Sequence, residues 1–282
     1  MRLLLLMMLT AGPGLSLLFQ GCDTGGGGGG GKHAALLAEV EQNRRLWASA
    51  GIDHYQVTSR QICFCLPSQL LTEVKDGQVV QVVQLPEVVD GSEGWNRIRT
   101  VDDAFAVIEE FVERSRSSTG LDETGEINVT FHPQLGYPVS VSMDWILGAV
   151  DDEVTYQFSD LIPLGDGAPT ILLDGRVDSG DRYEFRGARL DRDILEMDVS
   201  YGGGCADHDF YLIAQRSFKE SFPVQNDLTL KHEDYDDPCD AWISTTLRFD
   251  LTALKRAYQE AYGDGGTLIL NLPSGNLAWE MD

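Results

Sequence analysis

Apolar residues recur along the first part of the chain at helical spacing and then at alternate positions. Leu36, Val40 and Trp47 share one face of residues 33–50, good helix formers fill the gaps, and Gly51 suits a left-handed C-terminal position. Residues 55–65 and 71–84 then read as strands, the second run turning back on itself at Lys75-Asp76-Gly77. Thr100-Val-Asp-Asp103 has the form of a capping box. Behind it Phe105, Ile108, Phe111 and Val112 make an amphipathic helix face, with Arg114 and Arg116 suited to its C-terminus. Residues 126–131, 137–143 and 153–158 supply three more strands, separated by His132-Pro133 and Gly136.

Beyond residue 168 the pattern changes. Eight short strand candidates follow one another at 170–173, 182–190, 194–201, 209–214, 227–232, 241–249, 267–272 and 277–281. Gly, Asp and Pro clusters separate them, and one helix at 252–262 ends at Gly263-Asp-Gly-Gly. Asp227-Leu-Thr-Leu-Lys231 alternates cleanly, which predicts one wet face. The pattern predicts an α+β N-terminal domain, residues 33–160, followed by an all-β, sandwich-like C-terminal domain, residues 168–282.

The first 32 residues belong to neither domain. Met1-Arg2, an apolar run to Leu9, a Gly-Pro-Gly break and apolar Leu15 to Phe19 have the form of an export signal over residues 1–21. Pro13 and its flanking glycines interrupt a run that would need about 20 apolar residues to span a bilayer. Phe19-Gln20-Gly21-Cys22 resembles the lipobox of bacterial lipoproteins, with Phe19 and Gln20 in place of the usual Leu and small residue. The resemblance implies that Cys22 becomes the lipidated first residue of the exported chain. Residues 22–32 then make a tether: Gly25 to Gly31 form no core, and nine residues of such chain span about 15–18 Å. The polyglycine also satisfies G-x-G-x-x-G, but no strand precedes it. Gly26 to Lys32 mimics a phosphate loop with His33 where Ser or Thr would hold magnesium. Both matches are discarded.

Charge narrows the partners. The formal net charge is −24, and residues 33–160 carry 8 basic and 21 acidic side chains against 11 and 23 in residues 161–282. An excess so evenly spread excludes a nucleic-acid partner, which needs clustered Lys and Arg. It favours solubility, cations or basic partners.

Trp47, Tyr55, Cys63-Phe64-Cys65, Asp76-Gly77, Thr100-Val-Asp-Asp-Ala-Phe105, Gly136-Tyr-Pro138 and Asp151-Asp-Glu153 together resemble an uncharacterised domain family of exported bacterial proteins, many of them lipoproteins. The likeness covers residues 47–158; His132 stands where the family has Asp. It implies a domain boundary and a compartment, not a reaction.

With Cys22 taken by lipid, Cys63, Cys65, Cys205 and Cys239 remain, an even number for an oxidising compartment. Closeness in sequence favours Cys63 with Cys65 and Cys205 with Cys239, although three pairings are open. On a regular strand Cys63 and Cys65 stand about 6.6 Å apart on one face, near the limit for a disulfide. A bond there is expected to be strained or to need a bulge, leaving structural, redox, thiolate–metal and buried reduced-thiol readings open. A Cys205–Cys239 bond closes a loop of 34 residues, worth roughly 3–4 kcal/mol in the chain-entropy model.

Gly-Gly-Cys-x-x-His, His232 and Asp-Pro-Cys239 also resemble an arrangement in other uncharacterised exported proteins. A competing reading makes Cys205, His208, His232 and Cys239 a Cys₂His₂ site for zinc or copper, with looser spacing on the His232–Cys239 side. Calcium has two acidic candidates, Asp151-Asp-Glu153 and the run Glu233, Asp234, Asp236, Asp237 and Asp240, the latter without the alternation and glycine of a calcium loop. Neither a G-x-S-x-G elbow nor H-E-x-x-H occurs. No cofactor is called for by a motif, and no catalytic set stands out.

The sequence therefore predicts a cell-envelope protein, anchored to a membrane through lipid on Cys22 at the periplasmic or cell-surface side. Its expected work is non-enzymatic binding or structural support. The rival is a metal or thiol-redox role for Cys205, His208, His232 and Cys239, or for Cys63 with Cys65.

Overall fold

The computed structural model describes residues 33–65, 68–92, 96–117, 124–146 and 152–281. The export signal, Cys22, the glycine tether and Asp151 lie outside the described residues. The protein is mostly β, built on two sheets with three helices among the described residues.

In the first half, α1 (Ala34–Ala50) precedes β1 (His54–Cys63), β2 (Ser68–Lys75), β3 (Gln78–Gln84) and β4 (Val89–Asp90). Then come α2 (Val101–Ser117), β5 (Thr124–Phe131), β6 (Pro138–Ile146) and β7 (Val154–Pro163). The strands form a seven-stranded antiparallel sheet in the order β4-β3-β2-β1-β7-β6-β5. Asp76 and Gly77 both have positive φ, 51° and 73°, the conformation that a two-residue β2–β3 hairpin needs to match the strand twist. The capping box on α2 is reciprocal: Asp103 N–H donates to Thr100 Oγ1 at 3.0 Å, and Thr100 N–H donates to Asp103 Oδ2 at 2.9 Å.

Phe105, Ile108 and Phe111 of α2 are buried against Val141 and Met143 of β6, and α1 lies outside them. Trp47 meets Tyr55 and Tyr137 edge-on at 5.5 and 6.0 Å. Gly136 explains how α1 comes so close. Its φ is 77°, and a Cβ there would lie 2.4 Å from the Asn43 carbonyl oxygen. His132, where the resembling family has Asp, accepts from the Gln134 and Leu135 N–H groups through Nδ1, at 3.3 and 3.0 Å. A neutral imidazole nitrogen thus closes the turn as a carboxylate oxygen would.

In the second half come β8 (Ala168–Leu173), β9 (Tyr183–Asp191), β10 (Ile194–Gly203), β11 (Asp209–Gln215), β12 (Val224–Glu233) and β13 (Ala241–Asp250). They are followed by α3 (Thr252–Tyr262), β14 (Thr267–Leu272) and β15 (Gly275–Glu280). All eight strands lie in one mixed sheet, ordered β15-β14-β12-β11-β8-β13-β10-β9. This corrects the expected sandwich. The sheet curls until its end strands β15 and β9 approach each other, a nearly closed barrel around Leu195, Met197, Leu212, Leu230, Phe249 and Leu254. Strand β8 makes it continuous by pairing in parallel with both β11 and β13, a long-range choice that strand patterning does not encode.

The halves share a buried cluster. Leu71, Val83 and Val88 from the first sheet pack on Ile171, Tyr211 and Ile213 from the second. Across this seam the Lys231 ammonium donates to the Val88 carbonyl at 2.7 Å and pairs with Glu233 at 2.6 Å. Lys231 is only 7% exposed, so the wet face expected for its strand fails at that residue. The connection from β7 to β8 is tied at both ends. His54 holds it by two contacts, its carbonyl accepting from Leu164 N–H at 2.9 Å and its Nδ1 lying 2.7 Å from the Gly165 carbonyl. Gly165 N–H donates to Asp250 Oδ2. Replacing Lys231 by Met keeps the stem but strands the Val88 carbonyl and the Glu233 carboxylate. Urea unfolding is expected to show a loss of about 2–3 kcal/mol, since hydrogen bonds to charged groups are worth about 1.5–3 kcal/mol.

Candidate functional site

Two regions concentrate chemistry. The first is where the β10–β11 and β12–β13 loops meet. A disulfide joins Cys205 and Cys239, whose Cα atoms lie 5.7 Å apart. Beside it the Asp237 carboxylate organises both loops. Its Oδ2 accepts N–H bonds from Gly204, Cys205 and Ala206 at 2.7, 2.9 and 3.1 Å, and its Oδ1 accepts from Cys239 N–H at 2.9 Å. The His208 Nε2 lies 3.2 Å from the same Oδ2, and both side chains are 1% exposed. Gly203 makes room for that ring: its φ is 156°, and a Cβ there would come within 2.6 Å of His208 Nε2.

His208 Nδ1 stands 2.9 Å from His232 Nε2. One proton direction follows from the ionised Asp237. The carboxylate accepts the His208 Nε2 proton, and a single proton lies between His208 Nδ1 and His232 Nε2. His232 Nδ1 is buried, and no hydrogen bond of normal geometry reaches it among the described residues. The ring stacks on Phe210 at 4.3 Å, and Tyr201 lies against both histidines. Burial first, then repulsion from His208, hold His232 below its ordinary value of 6.5, against the opposing pull of the Asp181 and Arg182 carbonyls. The Cys239 N–H is the largest cause holding Asp237 far below 3.8; the Cys205 and Ala206 N–H groups and His208 add to it, while burial opposes.

The expected Cys205, His208, His232 and Cys239 therefore do meet, but as a disulfide beside an Asp237–His208–His232 chain. The ligand atoms that lie within 4.8 Å of one another are those of Cys205, Asp237 and Cys239. The sequence brings Asp237 forward only as one of an acidic run that could hold calcium; Asp-Pro immediately before Cys239 is the local signal for its place between the loops. The neighbouring acidic residues serve the fold: Asp234 Oδ1 accepts from Asp236 N–H at 2.8 Å, and Glu233 pairs with Lys231. At the other pair, β1 ends at Cys63 and the chain bends, so the Cα atoms of Cys63 and Cys65 approach to 5.1 Å and the disulfide forms. That separation lies inside the ordinary range, and the bend replaces the stretched strand geometry expected. Phe64 is left 83% exposed between them.

The second region is a cleft of about 140 Å³ between the sheets, bordered by α3. Its buried lining includes Gln56, Thr58, Leu71, Ile162 and Ile171, and its exposed rim carries Asp160, Arg216, Arg256 and Glu260. Gln56 is 4% exposed and its Oε1 has no hydrogen-bond partner among the described residues. A β-bulge shapes this wall. Gln56 pairs with Ile162 and Thr58 with Ser159, so Val57 alone opposes both Asp160 and Leu161. Asp160 takes φ 52°, a left-handed conformation that Asp tolerates better than most residues. No motif marks these residues in the sequence, because β1, β7, β11 and α3 are brought together only by the seam.

The histidine chain makes a signed prediction. The unfolded chain binds a proton on His232 near 6.5 while the native ring resists, so protons favour unfolding and stability falls as pH drops from about 6.5 toward the depressed native value. Asp237 adds a second decline below about 4 for the same reason. Urea midpoints measured from pH 8 to pH 3 are expected to show both declines, with His232→Gln flattening the upper one and Asp237→Asn the lower. Identical pH profiles for the variants and the parent chain would dismiss this account of the cluster.

No curated protein matches the chain. Among solved structures it is similar to a NigD-like immunity protein from Bacteroides caccae, at 14% identity over 80% of this chain and 90% of that one, TM-score 0.30. A protein described as toxin-related from Parabacteroides distasonis matches at 15% identity over 50% and 70%, TM-score 0.26. A DUF1344 protein of unknown function from Bacteroides vulgatus matches at 10% identity over 56% and 90%, TM-score 0.28. Likeness at that level carries no functional information. Residues 39–163, from within α1 to the end of β7, match the model of a family of unknown function, DUF6174.

Proposed function

We propose that this chain is a lipid-anchored bacterial cell-envelope protein that works as a non-enzymatic binding module. Lipid on Cys22 and the glycine tether hold two joined β-sheets off a membrane, on its periplasmic or cell-surface side. The run from Leu15 through Cys22 to Gly31 supports the anchoring. Each buried CH₂ of an attached acyl chain contributes about 0.8 kcal/mol, so several chains on one cysteine retain the protein where one would not.

The observation that carries the binding reading is the difference between the two polar regions. In the disulfide-stapled loops Asp237 and His208 are buried and bonded to the protein itself. A substrate reaching them would first have to break those bonds. The cleft keeps open valences: the Gln56 Oε1 without a donor, and charged groups along an accessible rim.

The second reading is a metal or redox protein, and one geometric fact favours it: the Cys205, Asp237 and Cys239 ligand atoms converge. Reduction of the disulfide by a dithiol would supply two thiolates beside a carboxylate, a set suited to zinc or copper. Thiol counting on the denatured, unreduced protein separates the two. No reactive thiols and no bound zinc or copper by elemental analysis support the binding module, whereas stoichiometric metal with free thiols supports the rival.

Anchoring is expected to show as partition of the native protein into the detergent-rich phase, with a diacylglycerol-sized mass on the peptide that begins at Cys22. Cys22→Ala is expected to move the protein to the aqueous phase. An unmodified Cys22 in the native material sinks the anchor.

A further inference from the structure

The cleft between the sheets has a charge arrangement that names a ligand class. Arg256 is matched by Glu260 one helical turn along, at 3.2 Å. That leaves Arg216 and Asp160. Arg216 donates to the Leu172 carbonyl at 3.2 Å. The Ser217 hydroxyl and N–H, and then the Arg216 charge, hold the Asp174 carboxyl below its ordinary value, without a direct ion pair to Arg216 among the described residues. Asp160 accepts from the Ser159 hydroxyl at 3.1 Å, and no cation of the described residues pairs with it. One cation and one anion without a direct ion pair among the described residues thus border the same small space, above the buried Gln56.

Four features act together. A guanidinium offers a planar fork suited to a carboxylate. A carboxylate held in left-handed backbone at a bulge suits an ammonium, and bulges re-aim side chains next to binding sites. The Gln56 Oε1, buried without a donor, calls for an N–H or O–H from whatever enters, because an unpaired buried acceptor is costly. Leu71, Ile162 and Ile171 give the remaining wall an aliphatic character. Size sets the limit. A space of about 140 Å³ is close to the engineered cavity of about 150 Å³ that takes benzene, so the guest has roughly six to eight non-hydrogen atoms.

We propose that this cleft binds a free α-amino acid with a small aliphatic side chain. Its carboxylate lies on Arg216, its ammonium lies between Asp160 and the Gln56 Oε1, and its side chain packs against the aliphatic wall. A simple carboxylate would leave Asp160 and Gln56 unanswered. A simple amine would leave Arg216 so. This assignment rests on the binding-module reading and narrows it.

The test is calorimetric titration of the full-length protein in detergent micelles with L-alanine, L-valine, isobutylamine and isobutyrate. The expected result is a dissociation constant below about 1 mM for at least one of the two amino acids, with the amine and the acid weaker by about tenfold or more. Arg216→Met and Asp160→Asn are each expected to weaken that binding by about tenfold or more. Both positions are exposed, and Asn tolerates the left-handed conformation of residue 160, so the variants keep the fold; unchanged circular dichroism and urea midpoints check this. Absence of binding by both amino acids overturns the proposal, as does equal binding of isobutylamine or isobutyrate. Amino-acid binding that ignores both substitutions also overturns it. If both amino acids fail while another small molecule binds and responds to the same substitutions, the ligand class falls and the binding module stands.

Discussion

Val88 is fully buried with a φ of 54°, a conformation that a β-branched residue adopts only under constraint, and its carbonyl takes the ammonium of Lys231 from the other sheet. Around that bond Leu71 and Val83 pack on Ile171, Tyr211 and Ile213. A cation reaches so dry a place because it has a carbonyl on one side and Glu233 on the other. The seam fixes how the sheets face each other. The cleft exists because of it: Gln56 and Ile162 come from one side, Ile171 and Arg216 from the other.

The two polar regions show opposite solutions to burying polarity. At the stapled loops every strong group is answered from within the chain. Asp237 collects N–H groups from Gly204, Cys205, Ala206 and Cys239, and the leftover is the His232 imidazole, whose burial resists protonation. Such a set rigidifies loops, and low pH is its weakness. At the cleft the Gln56 acceptor is unanswered and the rim charges are only half matched. Unfinished polarity next to a cavity is the physical mark of a place for a guest.

Much of the secondary structure was legible because short-range chemistry controls it. The reciprocal box at Thr100 and Asp103, the hairpin at Asp76-Gly77 and the left-handed Gly51 after α1 are local arrangements, and residue spacing announces them. The eight strands of the second half were legible too, since alternation and glycine-rich breaks mark them. The way those strands assemble was not. Parallel pairing of β8 with both β11 and β13 joins residues some 40 and 80 positions apart, and no local rule selects it over two stacked sheets. Lys231 misled for the same reason: alternation gave its face of the strand, but only the neighbouring sheet made that position dry.

The candidate sites divide along the same line. The sequence by itself determined the cysteine count, the even acidity and the glycine run behind Cys22, because each of these is composition or spacing. It also brought Cys205, His208, His232 and Cys239 forward as one group. Only the tertiary structure decided that the sulfurs bond to each other, that Asp237 lies at the centre, and that Gln56, Asp160 and Arg216 border one cleft. Those outcomes depend on which strand lies next to which and on what each side chain loses when water leaves. Both are properties of the packed chain, and residue order alone does not contain them in readable form.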